Sequence, residues 1–599
     1  MTASTFSNSL PAYTEQSRRR YNLFLLLVAG LGGLLYGIDV GIIGGALPYL
    51  EATSKLTPSQ LSIIVAAVLL GSVFSTLFAG LLADWMGRKP LMLLSGTAFI
   101  LSIPVIALSH GYGFLFLGRL LQGMSGGLIG IVVPLYLAEC LSASTRGKGT
   151  GVFQWLLTFG IVAAALIGIY FSYRVDAVAK ADPSALFSFK DHAWRSIFWV
   201  SLPPGLLFVI GSLMVTESPR WLYRRNKPEK ARAALLRSRS PEQATIELQE
   251  MEAASKPAVV SGEKVSDSLL RRKYIVPFFL ACVILACNTA TGINSIIGFN
   301  TNILLQSGLS DLQAHWGYVL FTAFNFCFTA VGMTLVDRKG RKFLFILGTS
   351  GIITSMVTVG ILFTQTEKQN VDCRDQLQPL VGPHQELTFQ FDKAAAQRLL
   401  AAQSGSASTI NPDRASFAII FSYGDFTGTT SYVRSDDLAA PLKISRDQAV
   451  PVNKVEALFS NPFGNFEAAQ TAPLKIEKAI LGPVPDESHG WLVAIFTYMF
   501  IAFYATGPGV CVWLALSELM PTRIRSNGMS IALVLNQLVS ATLAAIFLPF
   551  VSKHNYSSMF FLFAGFTVVY FLTTTFLFPE TKGKTLEEIE AFFDKGGAN

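Results

Sequence analysis

Long apolar blocks, punctuated by short charged turns, dominate this chain. A hydrocarbon core about 30 Å thick is crossed by about 20 helical residues. Twelve blocks reach that length, at 21–50, 60–83, 90–109, 113–139, 150–171, 196–215, 274–305, 314–336, 343–364, 491–516, 527–551 and 557–578. Several are longer than a minimal span, which predicts tilted or kinked helices. Frequent Gly and Pro inside them are tolerable where neighbouring helices satisfy the freed backbone groups. The pattern predicts an all-α membrane protein of twelve transmembrane helices.

The polar positions between the blocks repeat. Asp84, Gly87, Arg88 and Lys89 are followed by Glu139, by Arg146-Gly147, and by Glu217-Ser-Pro-Arg220-Trp221. Later, Asp337, Gly340, Arg341 and Lys342 are followed by Glu518, by Arg523 and Arg525, and by Pro579-Glu580-Thr581-Lys582-Gly583. Charges at membrane edges are costly unless paired, so a repeat in the same order predicts two homologous six-helix bundles with matching inter-helix salt bridges. Such bridges can differ between conformations of a carrier.

Spacing also exposes an insertion. Asp84 and Glu139 are 55 positions apart, whereas Asp337 and Glu518 are 181 apart, an excess of 126. The polar segment 365–490 accounts for it. Within it, 387–391 alternates like a strand, 392–403 resembles a helix and 415–423 is apolar again, which predicts a small α+β domain. The sequon Asn555-Tyr-Ser557 hugs a helix end, a poor acceptor for glycosylation. The chain therefore divides into a cytoplasmic tail (1–20), a first bundle (21–216), a cytoplasmic helical linker (217–273), helices seven to nine (274–364), the extracellular or periplasmic insertion (365–490), helices ten to twelve (491–578) and a second cytoplasmic tail (579–599).

At 51% hydrophobic and 14% charged residues, with mean hydropathy +0.45, a soluble globular protein is excluded. The net charge of +8 does not indicate a nucleic-acid partner, because Lys and Arg gather in alternate short loops. By the positive-inside rule those loops and both termini are expected in the cytoplasm, in a multi-pass protein of the cell (inner or plasma) membrane. Arg18-Arg19-Arg20 before an apolar run of some thirty residues reads as a first transmembrane helix rather than a secretory signal. Six Cys without a CxxC and six His without an HExxH support neither a metal site nor a cofactor.

Two sets of polar residues inside the apolar blocks are candidates for chemistry. Asp39 lies in the middle of helix one, where an unpaired carboxylate costs roughly 2.5–3.5 kcal/mol on insertion scales. Arg119, within helix four, is its natural partner; a fixed structural pair and a proton-coupling pair are both compatible with that placement. Gln154, Asn288, Thr289, Asn294, Asn325, Asn536 and Gln537 offer donors and acceptors suited to a neutral, hydroxyl-rich solute. Tyr36 and Trp513 offer aromatic faces that can cover a sugar ring.

These motifs resemble those of the sugar porter family of the major facilitator superfamily. The matching elements are Gly80…Asp84…Gly87-Arg88-Lys89, Pro134-Leu-Tyr136-Leu-Ala-Glu139, Arg146-Gly147, Glu217-Ser-Pro-Arg220-Trp221-Leu222, Gly292-Ile-Asn294, Asp337…Gly340-Arg341, Gly507-Pro-Gly509 and Pro579-Glu580-Thr581-Lys-Gly583. They cover both halves and leave out the insertion. The resemblance implies a central sugar site between the halves and alternating access. It implies that Asp39 corresponds to the acid associated with proton coupling in bacterial xylose–proton symporters, which facilitative glucose carriers usually lack. Gln154, Asn294 and Asn325 match sugar-contacting positions, and Trp513 a cavity tryptophan. The chain departs from the family where Gln-Gln is usual (Asn288-Thr289), where Tyr-Tyr is usual (Ile297-Gly298), and at a second cavity tryptophan (Gln537). Those departures leave a monosaccharide or polyol as the expected class. The insertion is similar in position to the long outer loop of proton–myo-inositol carriers.

The expected function is proton-coupled import of such a solute. Uniport with a structural Asp39 is the alternative. A membrane sugar sensor is a further one, disfavoured by the short tail after Pro579, and the insertion is a candidate site for an unknown partner. No paired catalytic groups argue for an enzyme.

Overall fold

The computed structural model describes residues 13–54, 56–141, 143–255, 272–402, 410–436, 441–454, 457, 461, 463–521, 524–584, 588–589 and 592–593. The first half contains α1 (Glu15–Thr53), α2 (Pro58–Met86), α3 (Arg88–Ala107), α4 (Tyr112–Cys140), α5 (Ala143–Ala181), α6 (Leu186–Trp199) and α7 (Leu202–Met214). Three short helices follow: α8 (Pro219–Arg224), α9 (Pro228–Leu236) and α10 (Pro241–Ser255). The second half begins with α11 (Arg272–Ala290), α12 (Ile293–Gln306), α13 (Asp311–Lys339) and α14 (Arg341–Glu367).

The insertion supplies β1 (Val371–Asp372), α15 (Arg374–Leu377), β2 (Leu387–Phe389), α16 (Lys393–Ala401), β3 (Ala415–Tyr423), β4 (Phe426–Thr429), β5 (Val433–Arg434), β6 (Leu442–Ile444), α17 (Phe466–Thr471) and β7 (Leu474–Pro483). The chain then re-enters the bundle as α18 (Glu487–Thr506), α19 (Pro508–Leu519) and α20 (Arg525–Leu572).

Among the described residues, eleven helical segments are long and apolar enough to span a bilayer. The last, Gly528–Leu577, is 50 residues long, more than twice a minimal span. It breaks at Asn555, where φ is 72° and ψ 164°, and supplies helices eleven and twelve. Other breaks fall at Gly292 (φ 85°), between α11 and α12, and at Gly507-Pro508, between α18 and α19. The sixth span starts earlier than its apolar block, because α6 carries the polar residues Lys190, Asp191, His192 and Arg195 before the run that betrays it.

Close helix packing follows from small residues. Gly33, Gly37, Gly41 and Gly45 form one stripe along α1 against α5; a Cβ on Gly37 would run into the carbonyl oxygen of Leu157. In a lipid environment such close approach is a main source of helix association. Helix starts are specified locally: Thr57 with Gln60, and Ser310 with Gln313, form capping boxes on α2 and α13.

The insertion is an α+β unit, as its sequence predicts. Strands β1, β7, β3 and β4 lie side by side in that order, all antiparallel, with β5 also on β3; β2 pairs with β6 in a second, two-stranded sheet. β3 is the buried centre, running from Ala415↔Pro483 to Tyr423↔Leu474 along β7 with a bulge at Ile420/Phe421. Phe417, Ile419, Phe421, Ile476 and Leu481 share a core with Phe391 and with Ala395 and Leu399 of α16.

Candidate functional site: a buried ion pair, a polar node and two matched turns

The repeated charges build two turns of the same design at one end of the bundle. In the first, Gly87 (φ 104°) separates α2 from α3. The Arg88 guanidinium, 2% exposed, pairs with Glu139 at 2.8 Å and Asp84 at 3.1 Å and donates to the Ala83 carbonyl at 2.9 Å. Glu139 also accepts from the Ser218 hydroxyl. In the second, Gly340 has φ 91°, Arg341 pairs with Glu518 at 2.9 Å, and Glu518 accepts from the Thr581 hydroxyl at 2.6 Å.

Glu217 and Glu580 depart from the expected salt bridges. Glu217 accepts the backbone N–H groups of Arg88 (3.0 Å), Lys89 (3.2 Å) and Ser218 (2.7 Å). Glu580 accepts those of Arg341 and Lys342, both at 3.1 Å. Each acid therefore caps the start of a helix from a distance in sequence, where unsatisfied N–H groups and the helix dipole favour negative charge. Burial raises the Glu217 carboxyl from its ordinary value, while the N–H bonds and Arg88 oppose the rise.

Arg220 is exposed and has no ion-pair partner among the described residues. Arg224, one turn further along α8, pairs with Glu139 at 3.3 Å and Asp84 at 3.8 Å instead. The side chains of Arg146, Asp337, Arg523 and Arg525 lie outside the described residues.

Asp39 and Arg119 meet as expected. Both are buried, with Arg119 Nη1 3.8 Å from Asp39 Oδ1. That distance is an ion pair without a hydrogen bond. Arg119 donates instead to Gln122 Oε1 at 2.7 Å, and neither Asp39 oxygen has a hydrogen-bond partner. Gly126 of α4 passes so close that a Cβ there would stand 2.8 Å from Asp39 Oδ2 and 3.2 Å from the Tyr36 ring.

Tyr36, one turn before Asp39, lies against the side chains of Gln537 and Ser72. The α20 segment that carries Gln537 is a node. Ser540 accepts from Asn294 Nδ2 at 2.6 Å, and the Asn536 carbonyl accepts from Thr289 at 3.1 Å. Asn288 Nδ2 donates to the Tyr504 hydroxyl at 3.1 Å; Asn288 Oδ1 and Asn536 Oδ1 are buried without partners. Thr289 is thus less available than expected, since its single proton goes to the carbonyl of Asn536 or Ala286. Gln154 and Asn325 each precede a ring of the stacked pair Trp155–Phe326 (5.0 Å), which bridges the halves. Trp513 is 44% exposed on α19 and makes no ring stack among the described residues.

The halves touch chiefly at the opposite end, beside the insertion. Tyr49 and Ser172 donate to Asp311 at 2.9 and 2.6 Å, Asn302 to Glu51 at 2.5 Å, Thr301 to the Gly44 carbonyl at 2.7 Å, and Tyr318 to the Gly41 carbonyl at 2.8 Å. The bonds of the two matched turns stay within one half. The bundle is closed at one end, and such an arrangement suits a carrier that exposes its centre to one side at a time.

A family profile described as "Sugar (and other) transporter" matches residues 25–374 and 472–593. The chain belongs to that family. The gap in the match falls within the insertion. The transporter is 26% identical to the human protein named proton myo-inositol cotransporter, over 95% of this chain and 82% of that one. It is equally similar to inositol transporter 4 of Arabidopsis thaliana, over 96% and 92%. Its fold matches the xylose transporter XylE from E. coli in a partially occluded inward open conformation, with a TM-score of 0.62 at 20% identity, covering 94% of this chain and all of that one. The transporter is therefore a multi-pass protein of the major facilitator fold, and not an enzyme.

Proposed function

We propose that the transporter imports a monosaccharide or polyol across the cell membrane by proton symport, with Asp39 as the proton site. The observation that carries this reading is the condition of Asp39. Its carboxyl is buried, keeps no hydrogen bond, and is tied to Arg119 only across 3.8 Å. A carboxyl so placed exchanges a proton without any protein hydrogen bond having to break, and its charge is then felt by Arg119 and by Tyr36.

The path from Asp39 past Gly126 and Tyr36 to Gln537 links that event to the polar node. There Asn288, Asn294, Asn536, Gln537 and Ser540, with Gln154 from α5 of the first half and Asn325 from α13 of the second, would hold solute hydroxyls, and Tyr36 and Trp513 would cover a ring. The relatives named for inositol favour a cyclic, hydroxyl-rich solute. The positive-inside rule puts both termini and the matched turns in the cytoplasm and the insertion outside.

Proteoliposomes supplied with labelled xylose, glucose and myo-inositol test the reading. Addition of the transported solute is expected to alkalinise the medium. Asp39→Asn is expected to lose gradient-driven accumulation yet retain counterflow. Accumulation by Asp39→Asn at the wild-type level would remove Asp39 from coupling, and uptake without alkalinisation would mean uniport.

A further inference from the structure

The insertion is connected to the second half alone, leaving it after α14 and rejoining it at α18. One of its turns nevertheless reaches the first half. The Ser431 hydroxyl lies against the carboxylate of Glu51, near the end of α1. The same carboxylate accepts Asn302 Nδ2 from α12 at 2.5 Å. Glu51 is thus a three-way junction between the first half, the second half and the insertion. The next residue, Tyr432, lies within electrostatic range of Glu367 at the end of α14 and of Tyr556, next to the break in α20. Glu367 in turn accepts the Ser557 N–H at 3.1 Å and the Ser557 hydroxyl. The segment 430–432 therefore sits over the seam where the halves close.

The turn is rigidly presented. Thr430 N–H donates to the Ile419 carbonyl and Ile419 N–H to the Thr430 hydroxyl, both at 2.9 Å. On the far side, Ser435 N–H donates to the Ala415 carbonyl and Ala415 N–H to the Ser435 hydroxyl, again both at 2.9 Å. Both ends of the turn are thereby stapled to β3, the buried centre of the sheet. A projection anchored in this way transmits force; a loose loop would not.

We propose that the insertion is a latch on the outer gate, its Thr430–Tyr432 turn holding the two halves together and biasing the transporter toward the state closed on that side. When the halves part at this end, Asn302 and the insertion leave Glu51 with the second half, and the carboxylate loses its Asn302 hydrogen bond and its Ser431 contact together. The remaining gate contacts, such as Tyr49 with Asp311, need no insertion. The family profile skips most of the insertion, so the latch is an addition that tunes a shared gate. Loss of one hydrogen bond to a charged group is enough to change a two-state ratio about tenfold.

Two measurements test the latch without a known solute, so the failure of the transport reading leaves them interpretable. Nitroxides are placed at the exposed positions Ser59, in the first half, and Asp486, in the second, in a Cys327→Ser background. Double electron–electron resonance then reads the separation at this end. In Ser431→Ala/Tyr432→Ala the fraction with separated halves is expected to rise about tenfold; an unchanged distance distribution would overturn the proposal. Glu51→Cys/Ser431→Cys, in the same background without labels, is expected to form a disulfide under mild oxidation, detected by loss of free thiol. A pair that stays reduced would equally overturn it, because the contact itself would then be absent.

Discussion

Gly87 and Gly340 carry two burdens each, and replacing them by Ala measures both. At φ 104° and 91° an L side chain is strained by about 1–3 kcal/mol. The added Cβ would also strike the acid that caps the following helix: Glu217 at the first site, and Glu580 Oε2, 2.5 Å away, at the second. To escape, the carboxylate must release backbone N–H groups at 3.0–3.2 Å, bonds to a charged group that contribute about 1.5–3 kcal/mol each before water replaces part of them. Gly87→Ala and Gly340→Ala are therefore each expected to destabilise by about 3–6 kcal/mol. Gly80→Ala is the control: it lies mid-helix with nothing near its Cβ position and is expected to gain about 0.5–1 kcal/mol. The assay is thermal and denaturant unfolding in detergent, followed by intrinsic fluorescence. Glu217→Ala combined with Gly87→Ala is expected to cost less than the sum of the single changes, because the clash needs the carboxylate. Strict additivity, or a Gly87→Ala variant within about 0.5 kcal/mol of Gly80→Ala, would refute the account.

Two smaller contrasts come from the same turns. Ser218→Ala and Thr581→Val remove the hydroxyl that bonds the buried Glu139 and the half-buried Glu518, and each is expected to cost about 1–3 kcal/mol in the same unfolding assay, with Thr581→Ser restoring most of it. Arg224→Gln is expected to lower stability measurably, because Glu139 loses a charged partner, whereas Arg220→Gln is expected to stay within about 0.5 kcal/mol of wild type.

The pairing of Asp39 with Arg119, and the presence of matched salt bridges in the two halves, were legible because charges in apolar blocks have few alternatives; that Arg88 meets Glu139 and Arg341 meets Glu518 is given by the structure alone. The roles of Glu217 and Glu580 were not, because an acid's sequence context advertises its charge and hides which backbone N–H groups await it. The missed signal was the hydroxyl directly after each acid, Ser218 and Thr581, repeated as faithfully as the charges. Arg224 was missed because α8, which puts it one turn from Arg220, is too short to show a period. In the insertion, the strand at 415–423 and the helix after 392 could be read from local pattern. The β7 partner of that strand lies some sixty residues away, and no local pattern specifies such a pairing. Among the polar candidates, composition could nominate Thr289 but could not foresee that its proton is committed to a backbone carbonyl.

The two ends of the bundle solve different problems with the same residue type. At the matched turns, Glu139 and Glu518 meet guanidinium groups within their own half, so nothing there has to separate for the halves to rock. Each turn instead stiffens one bundle into a body that can move as a unit. At the closed end, Glu51 and Asp311 hold donors from the opposite half: an amide, and two hydroxyl groups. No Arg or Lys takes part in these cross-half bonds among the described residues. A buried ion pair broken at this end would leave two uncompensated charges, a loss of about 3–5 kcal/mol. Neutral donors leave one carboxylate, which entering water can hydrate, and hydroxyl and amide groups that rehydrate readily. The gate is thereby kept strong enough to close and weak enough to reopen, and the Ser431 contact belongs to the same economy.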